Sequence, residues 1–249
     1  MIKILSIGNS FSEDSTKYLH KMAVRGNIDV KTVNLYIGGC SLFTHWQNAQ
    51  EDNAKYDYQL NGESTGEYVS IKQALLSDSW DYVTLQQASY DSGVEETYFP
   101  YLTNLSQYVK ALAPSAVQLI HKTWAYELDS THDGFEKYER TQAVMFAALS
   151  KAYEKASAAI NAELIPTGDV IQVLRKLPEF DYANGGRSLC RDGFHLDLIY
   201  GRYAAAASWY ETILKGNILT NDFVPKLEGK ETDIGLIEII KKTVHDICS

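Results

Sequence analysis

The chain predicts an α/β fold, a three-layer α/β/α sandwich around a mostly parallel five-stranded sheet. Short apolar runs alternate with longer stretches of helical periodicity, which is the signature of strand–helix–strand units. The opening run, Ile4-Leu5-Ser6-Ile7, reads as a buried strand and stops at Gly8. A polar turn carrying Ser10 and Ser12 follows it, so a hydroxyl sits at the carboxyl end of a strand, where open α/β sheets hold their ligands.

The elements follow in order. Lys3 to Ile7 is the first strand, and Ser12 to Arg25 the first helix, with Tyr18, Leu19 and Met22 on one face. Ser12 precedes Glu13-Asp14, an acidic first turn, and reads as the N-cap. Asp29 to Ile37 is the second strand, ending at Gly38-Gly39, and Tyr56 to Gly66 is a short hairpin. Ser70 to Ser77 is helical, and Tyr82 to Leu85 is the third core strand, ending at Gln86-Gln87. Phe99 to Leu112 is a helix stopped before Pro114, and Ala116 to His121 is the fourth strand. A breaker-free helix spans about Glu136 to Ala162, then Leu164 to Pro166 is a short fifth strand and Val170 to Lys176 a helix. Asp181 to Arg187 is a Gly-rich loop. Asp197 to Lys215 is the last main helix, closed by Gly216-Asn217, and a tail helix from about Asp233 to Ile247 packs through Ile237, Ile240 and Val244. No repeat or linker divides the chain, so residues 1–249 form one domain.

Composition narrows the function. The net charge of −9 and the absence of a basic run argue against nucleic acid as a partner. No apolar stretch approaches the roughly 20 residues a membrane span needs. Ile2 to Ile7 is too short for a signal peptide, so the chain as given reads as cytoplasmic or as trimmed of its signal. Cys40, Cys190 and Cys248 are no disulfide framework; reduced thiols are the simpler reading, with a Cys40–Cys190 bridge as the alternative. There is no HExxH, no paired cysteine ligand set, no Walker loop and no GxGxxG, so neither metal nor cofactor is expected. Composition leaves the oligomeric state open.

The chemistry lies at the two ends. Ser10 sits in the first turn, near backbone N–H groups at a helix start that suit an oxyanion. Arg191-Asp192-Gly193-Phe194-His195 stands just ahead of the last main helix. An Asp three residues before a His can accept from Nδ1–H, fix the ring's tautomer and stabilise the imidazolium as a nucleophile loses its proton. The bland alternatives are a turn serine bonding its own backbone, and Asp192 or Asp197 merely capping the final helix.

Gly8-Asn9-Ser10-Phe11 resembles the GDSL block of the SGNH hydrolase superfamily, with Asn9 in place of the usual aspartate. Ile37-Gly38-Gly39-Cys40-Ser41 resembles its second block, whose glycine lends a backbone N–H, and Asp192-x-x-His195 matches its Asp-x-x-His block. The resemblance spans nearly the whole chain. It implies an acyl-transfer mechanism with Ser10 as nucleophile, His195 as base, Asp192 as its orienting partner, and an oxyanion hole from Ser10 and Gly39 N–H. The superfamily usually offers an asparagine after the third strand. Here Leu85-Gln86-Gln87-Ala88-Ser89 stands there, similar to a stretch of carbohydrate acetylesterases in the same superfamily. Gln87, or else Gln86, is then the expected side-chain donor. Asn9, His45, Trp46, Gln86 and Trp124 are candidates for lining the substrate pocket, while His121 and His132 have no assigned partner.

Three readings follow. The first is a serine esterase acting on small acyl esters, with acetyl groups on carbohydrate suggested by analogy alone and fatty-acyl or thioester substrates as the nearest rivals within the class. The second is a non-catalytic flavodoxin-like module binding an anion or sugar at the Gly8–Ser12 loop. The third makes Cys40 the nucleophile, served by His195.

Overall fold

In the computed structural model, which describes residues 1–249, the first strand, β1 (Ile2–Gly8), lies inside the sheet. Ile4, Leu5, Ser6 and Ile7 are all buried because helices cover both faces, and such a position calls for an unbroken apolar run. The chain continues through α1 (Ser10–Thr16), α2 (Leu19–Arg25), β2 (Val30–Tyr36) and α3 (Leu42–Gln50). The hairpin β3 (Tyr56–Leu60) and β4 (Glu63–Val69) leads to α4 (Ile71–Leu76), β5 (Tyr82–Leu85), α5 (Tyr101–Leu112) and β6 (Val117–His121). Then come α6 (Gln142–Ile160), β7 (Glu163–Ile165), α7 (Thr167–Leu174), α8 (Tyr200–Thr212) and α9 (Ile234–Cys248).

The strand order is β4-β3-β2-β1-β5-β6-β7. The five strands from β2 to β7 are parallel, with Ile4 facing Thr32 on one side and Tyr82 on the other. This is the expected five-stranded core. The sheet is two strands wider than expected because the hairpin pairs antiparallel with β2 and extends its edge. The helices α1, α2, α7, α8 and α9 pack together on one face, and α3 to α6 on the other. β1 hands the chain to the first layer, whereas β5 hands it to the second. Their carboxyl ends therefore border a crevice at the switch point.

Two expectations about helices need correction. Ser12 to Arg25 is not one helix. Ser15 Oγ donates to the Phe11 carbonyl and Thr16 Oγ1 to that of Ser12, back-bonding that loosens a helix, and α1 ends before Tyr18. The long helix begins at Gln142 rather than Glu136, because residues 133–138 form a 3₁₀ turn and Glu139 and Arg140 both adopt positive φ. The helix α3 carries no strong apolar stripe, its buried face including His45 and Asn48, so hydrophobic periodicity does not predict it. α8 is buried along almost its whole length, and the small side chains Ala204 to Ala207 let its neighbours approach from every side. The apolar face of α9 is buried at Ile237, Ile240 and Val244, as expected. No helix is long and apolar enough to cross a membrane.

His45 on α3 and His121 at the end of β6 are fully buried, and burial lowers each ring's pKa to about 3. The unfolded chain takes up protons on these rings below about pH 6.5 while the folded chain does not, so stability is full above that pH and falls as the pH drops. Urea unfolding between pH 7 and pH 5 should show stability declining by roughly 1 kcal/mol per pH unit for each ring below pH 6.5. A flat profile would contradict two neutral, buried imidazoles.

Candidate active site

The site begins where β1 ends. Asn9, not Ser12, is the N-cap of α1: its Oδ1 accepts from the Phe11 N–H at 3.0 Å. Ser12 is the reciprocal member of a capping box, its Oγ accepting from the Asn9 N–H at 3.0 Å. Ser10 is thereby the first helical residue. Its N–H has no intrahelical acceptor by position, and it is half-buried between buried neighbours.

A buried polar chain anchors this cap. Asn9 Nδ2 donates to the Cys40 carbonyl at 3.0 Å, and Asn9 Oδ1 also accepts from Gln86 Nε2 at 2.7 Å. Gln86 Oε1 in turn accepts from His121 Nδ1–H at 2.8 Å. These contacts join the carboxyl ends of β1, β5 and β6 and the loop after β2.

Asp192 to His195 is a tight turn. Gly193 has φ +85, and a Cβ there would lie 2.7 Å from Ser130 Cα, so no other residue fits without displacement. The turn is pinned by the Glu127 N–H on the Gly193 carbonyl at 2.7 Å and by Trp124 Nε1–H on the Phe194 carbonyl at 2.7 Å. Asp192 Oδ1 accepts from the His195 N–H at 2.8 Å, and Oδ2 accepts from His195 Nδ1–H at 2.8 Å. Burial pushes the Asp192 carboxyl up, but the bonds from His195 and Phe194 outweigh it and hold the group below its ordinary pKa. Asp197, not Asp192, takes the capping work before α8, accepting from the Ile199 and Gly201 N–H groups.

These two pieces meet. Ser10 Oγ lies 2.9 Å from His195 Nε2. With Nδ1–H on Asp192, Nε2 of the neutral ring is the acceptor for the serine hydroxyl. The meeting is secured one helical turn along α1 by Asp14, which is wholly buried. Asp14 Oδ1 accepts from Arg202 Nε at 2.7 Å and Arg191 Nη1 at 3.0 Å, and Oδ2 accepts from the Leu196 N–H at 2.9 Å. Sequence reasoning assigned Asp14 only to an acidic first turn. The available signal was its spacing of four from Ser10, together with Arg191 beside Asp192.

Other candidates are placed differently. Gly39, with φ +63, is exposed, and its N–H makes no bond within the protein. The Gln87 amide is buried and engaged: Nε2 donates to the Thr97 carbonyl and hydroxyl, both at 3.0 Å, and Oε1 accepts from the Leu42 and Ala88 N–H groups. Gln87 thus braces the loops around the site and has no donor left to offer. Gln86 and Asn9 are buried in the polar chain rather than lining a pocket. His45 is buried against Tyr56, with Nδ1 2.9 Å from its hydroxyl, because α3 turns that face inward. Trp46 packs against Tyr108 of α5. Trp124 is fully buried, stacked on Phe11 at 4.2 Å, and supports the His195 turn from beneath. Burial pushes the Cys40 thiol up to about 12, and its imidazole neighbour is His45, which removes the features a cysteine nucleophile needs. Cys40 and Cys190 are both free.

A cavity of about 710 Å³ lies between α2 and residues 222–226, and neither Ser10 nor His195 lines it. No group of three or more His, Cys, Asp or Glu side chains is arranged to hold a metal ion.

A family profile described as a domain of unknown function, DUF4886, matches residues 3–239. The chain belongs to the DUF4886 family. A DUF4886 protein from Bacteroides uniformis is 35% identical and superimposes with a TM-score of 0.88, covering 98% of this chain and 93% of that one. A protein from Slackia heliotrinireducens assigned to the SGNH hydrolases is 22% identical, with a TM-score of 0.57 over 85% of this chain and 98% of that one. A mutant of Axe2, an acetyl-xylooligosaccharide esterase from Geobacillus stearmophilus, is 13% identical, with a TM-score of 0.52 over 84% of this chain and 93% of that one. At these identities the last two establish a shared fold, that of the SGNH hydrolases. No curated protein matches the chain.

The clamp gives a direct test in this DUF4886 chain. Asp14→Asn leaves Arg191 and Arg202 without their counter-charge and should destabilise by about 3 kcal/mol, the low end for breaking a buried pair, since both guanidiniums keep some water. Hydrogen exchange at residues 191–196 should accelerate with it. Unchanged urea midpoint and unchanged exchange would remove Asp14 from this role.

Proposed function

We propose that this protein is a serine esterase that hydrolyses small acyl esters, with O-acetyl groups on carbohydrate as the favoured substrate class. The observation that carries the reading is the relay Ser10 Oγ–His195 Nε2 at 2.9 Å and His195 Nδ1–Asp192 Oδ2 at 2.8 Å. Ser10 Oγ attacks the ester carbonyl while His195 takes its proton. The tetrahedral adduct collapses, the bond to the alcohol oxygen breaks, and the alcohol leaves with that proton. Water then attacks the acyl-serine by the same route and restores the hydroxyl.

Asp192 orients the ring and stabilises its cation. The oxyanion faces two backbone donors, the N–H groups of Ser10 and Gly39, each worth about 2.7–4 kcal/mol of barrier if well aimed. No side-chain amide from Gln87 joins them, since its N–H groups already bond to Thr97. The acetyl-xylooligosaccharide esterase with a similar fold supplies the analogy for acetylated sugar.

The anion-binding module is the weaker reading. Asn9 takes the Phe11 amide and leaves only that of Ser10 among the first two at the start of α1, and α1 is only 7 residues long.

Incubation with p-nitrophenyl acetate and with a fluorophosphonate tests the proposal. Wild-type protein should turn over the ester and carry the label on Ser10. Ser10→Ala and His195→Ala should each lose at least about 10³-fold in kcat/KM, as triad members acting as a unit do. Undiminished turnover by Ser10→Ala would overturn the assignment.

A further inference from the structure

His132 is accounted for neither by the relay nor by the core. It lies in the loop after β6, where its Nδ1 accepts from the Gly134 N–H at 2.9 Å. Burial lowers its pKa against the pull of the Asp133 carboxylate, which favours a neutral ring. With Nδ1 committed as an acceptor, the proton resides on Nε2, and Nε2 has no partner within the protein.

The ring is also part of a continuous arc. His132 packs edge-on against Phe194, with ring centroids 4.9 Å apart, and Phe194 lies against His195 at 4.2 Å. On its other side His132 stacks nearly parallel to Tyr90, at 6.3 Å and 11°. The Tyr90 hydroxyl reaches the Gly39 carbonyl at 3.1 Å, and Lys137 sits over the Tyr90 ring. The arc thus runs from the Gly39 loop to His195. Its faces are aromatic, while its polar tips are an unpaired N–H and a phenol.

We propose that His132 and Tyr90 are specificity-determining residues that hold the alcohol half of the substrate, a polyhydroxylated ring whose hydroxyl accepts from His132 Nε2–H. The inference rests on the esterase reading and narrows its substrate. An arc made only for a fatty chain would carry no polar tips, because each would be desolvated without compensation. A saccharide instead presents apolar C–H faces to the rings and hydroxyls to the tips.

The test compares a monoacetylated methyl xyloside with p-nitrophenyl acetate. His132→Phe keeps the ring and removes the donor, Tyr90→Phe removes only the hydroxyl, and His132→Gln restores an N–H donor. For His132→Phe, the ratio of kcat/KM on the saccharide ester to that on the aryl ester should fall roughly three- to tenfold, the size of one neutral hydrogen bond. The change should fall mainly on KM, with part recovered in His132→Gln. An unchanged ratio would overturn the proposal. A parallel calorimetric titration of Ser10→Ala with the saccharide ester reads binding without turnover. Weakening there by the His132→Phe change supports the arc even if hydrolysis proves independent of Ser10, and equal binding with and without the change overturns it. Loss of Ser10-dependence alone overturns the esterase reading.

Discussion

The meeting of Ser10 with His195 is held by one buried carboxylate, that of Asp14. Ser10 and His195 are separated by most of the chain, and nothing local brings them together. Asp14 does so by standing on the same helix as Ser10 and gathering donors from the segment that holds His195. A charge taken wholly out of water is tolerable only when its lone pairs are filled, and here two guanidiniums and a backbone N–H fill them. Geometry follows from this requirement. The carboxylate fixes the Leu196 amide relative to α1, and His195 is the residue next to it.

A second, uncharged network holds the start of α1 from the side of the sheet. Asn9, Gln86, His121 and the Cys40 carbonyl tie together the ends of β1, β5 and β6 and the loop after β2. Each member has its polar atoms used in defined directions, which makes such a network rigid where a partly filled one would be loose. The side chain that caps α1 is therefore oriented from two strands away. The serine is presented by a floor rather than by a flexible loop.

Much of this was legible in the chain. The parallel core, the serine at the end of β1 and the Asp-x-x-His turn all rest on local pattern, and local pattern survives folding. Ser12 was mistaken for the cap because it precedes two acids. The structure prefers Asn9, one residue beyond the strand, because its amide can satisfy the helix and Gln86 together. Gln87 looked like a free donor because its neighbours in sequence do not include Thr97, the residue that engages it. His45 follows the second block and Trp124 the fourth strand, which suggests the pocket, but Tyr56 of β3 covers the one and Phe11 of α1 the other. The role of Asp14 was only hinted at by its spacing from Ser10, because it is a relation between positions nearly two hundred residues apart. The hairpin was visible, and its docking on β2 was not, since pairing partners at a sheet margin are weakly encoded.

That margin has a consequence of its own. A parallel sheet that ended at β2 would leave a row of unpaired amides and carbonyls open to any extended chain. β3 covers the row, and β4, outermost, is almost wholly solvated and carries Glu63 and Glu67 with a register shift in the pairing beside it. At the opposite margin β7 is only 3 residues long. Neither border offers a long, flat, apolar template, so the molecule is protected against edge-to-edge self-association by the same short ribbon that widens its sheet.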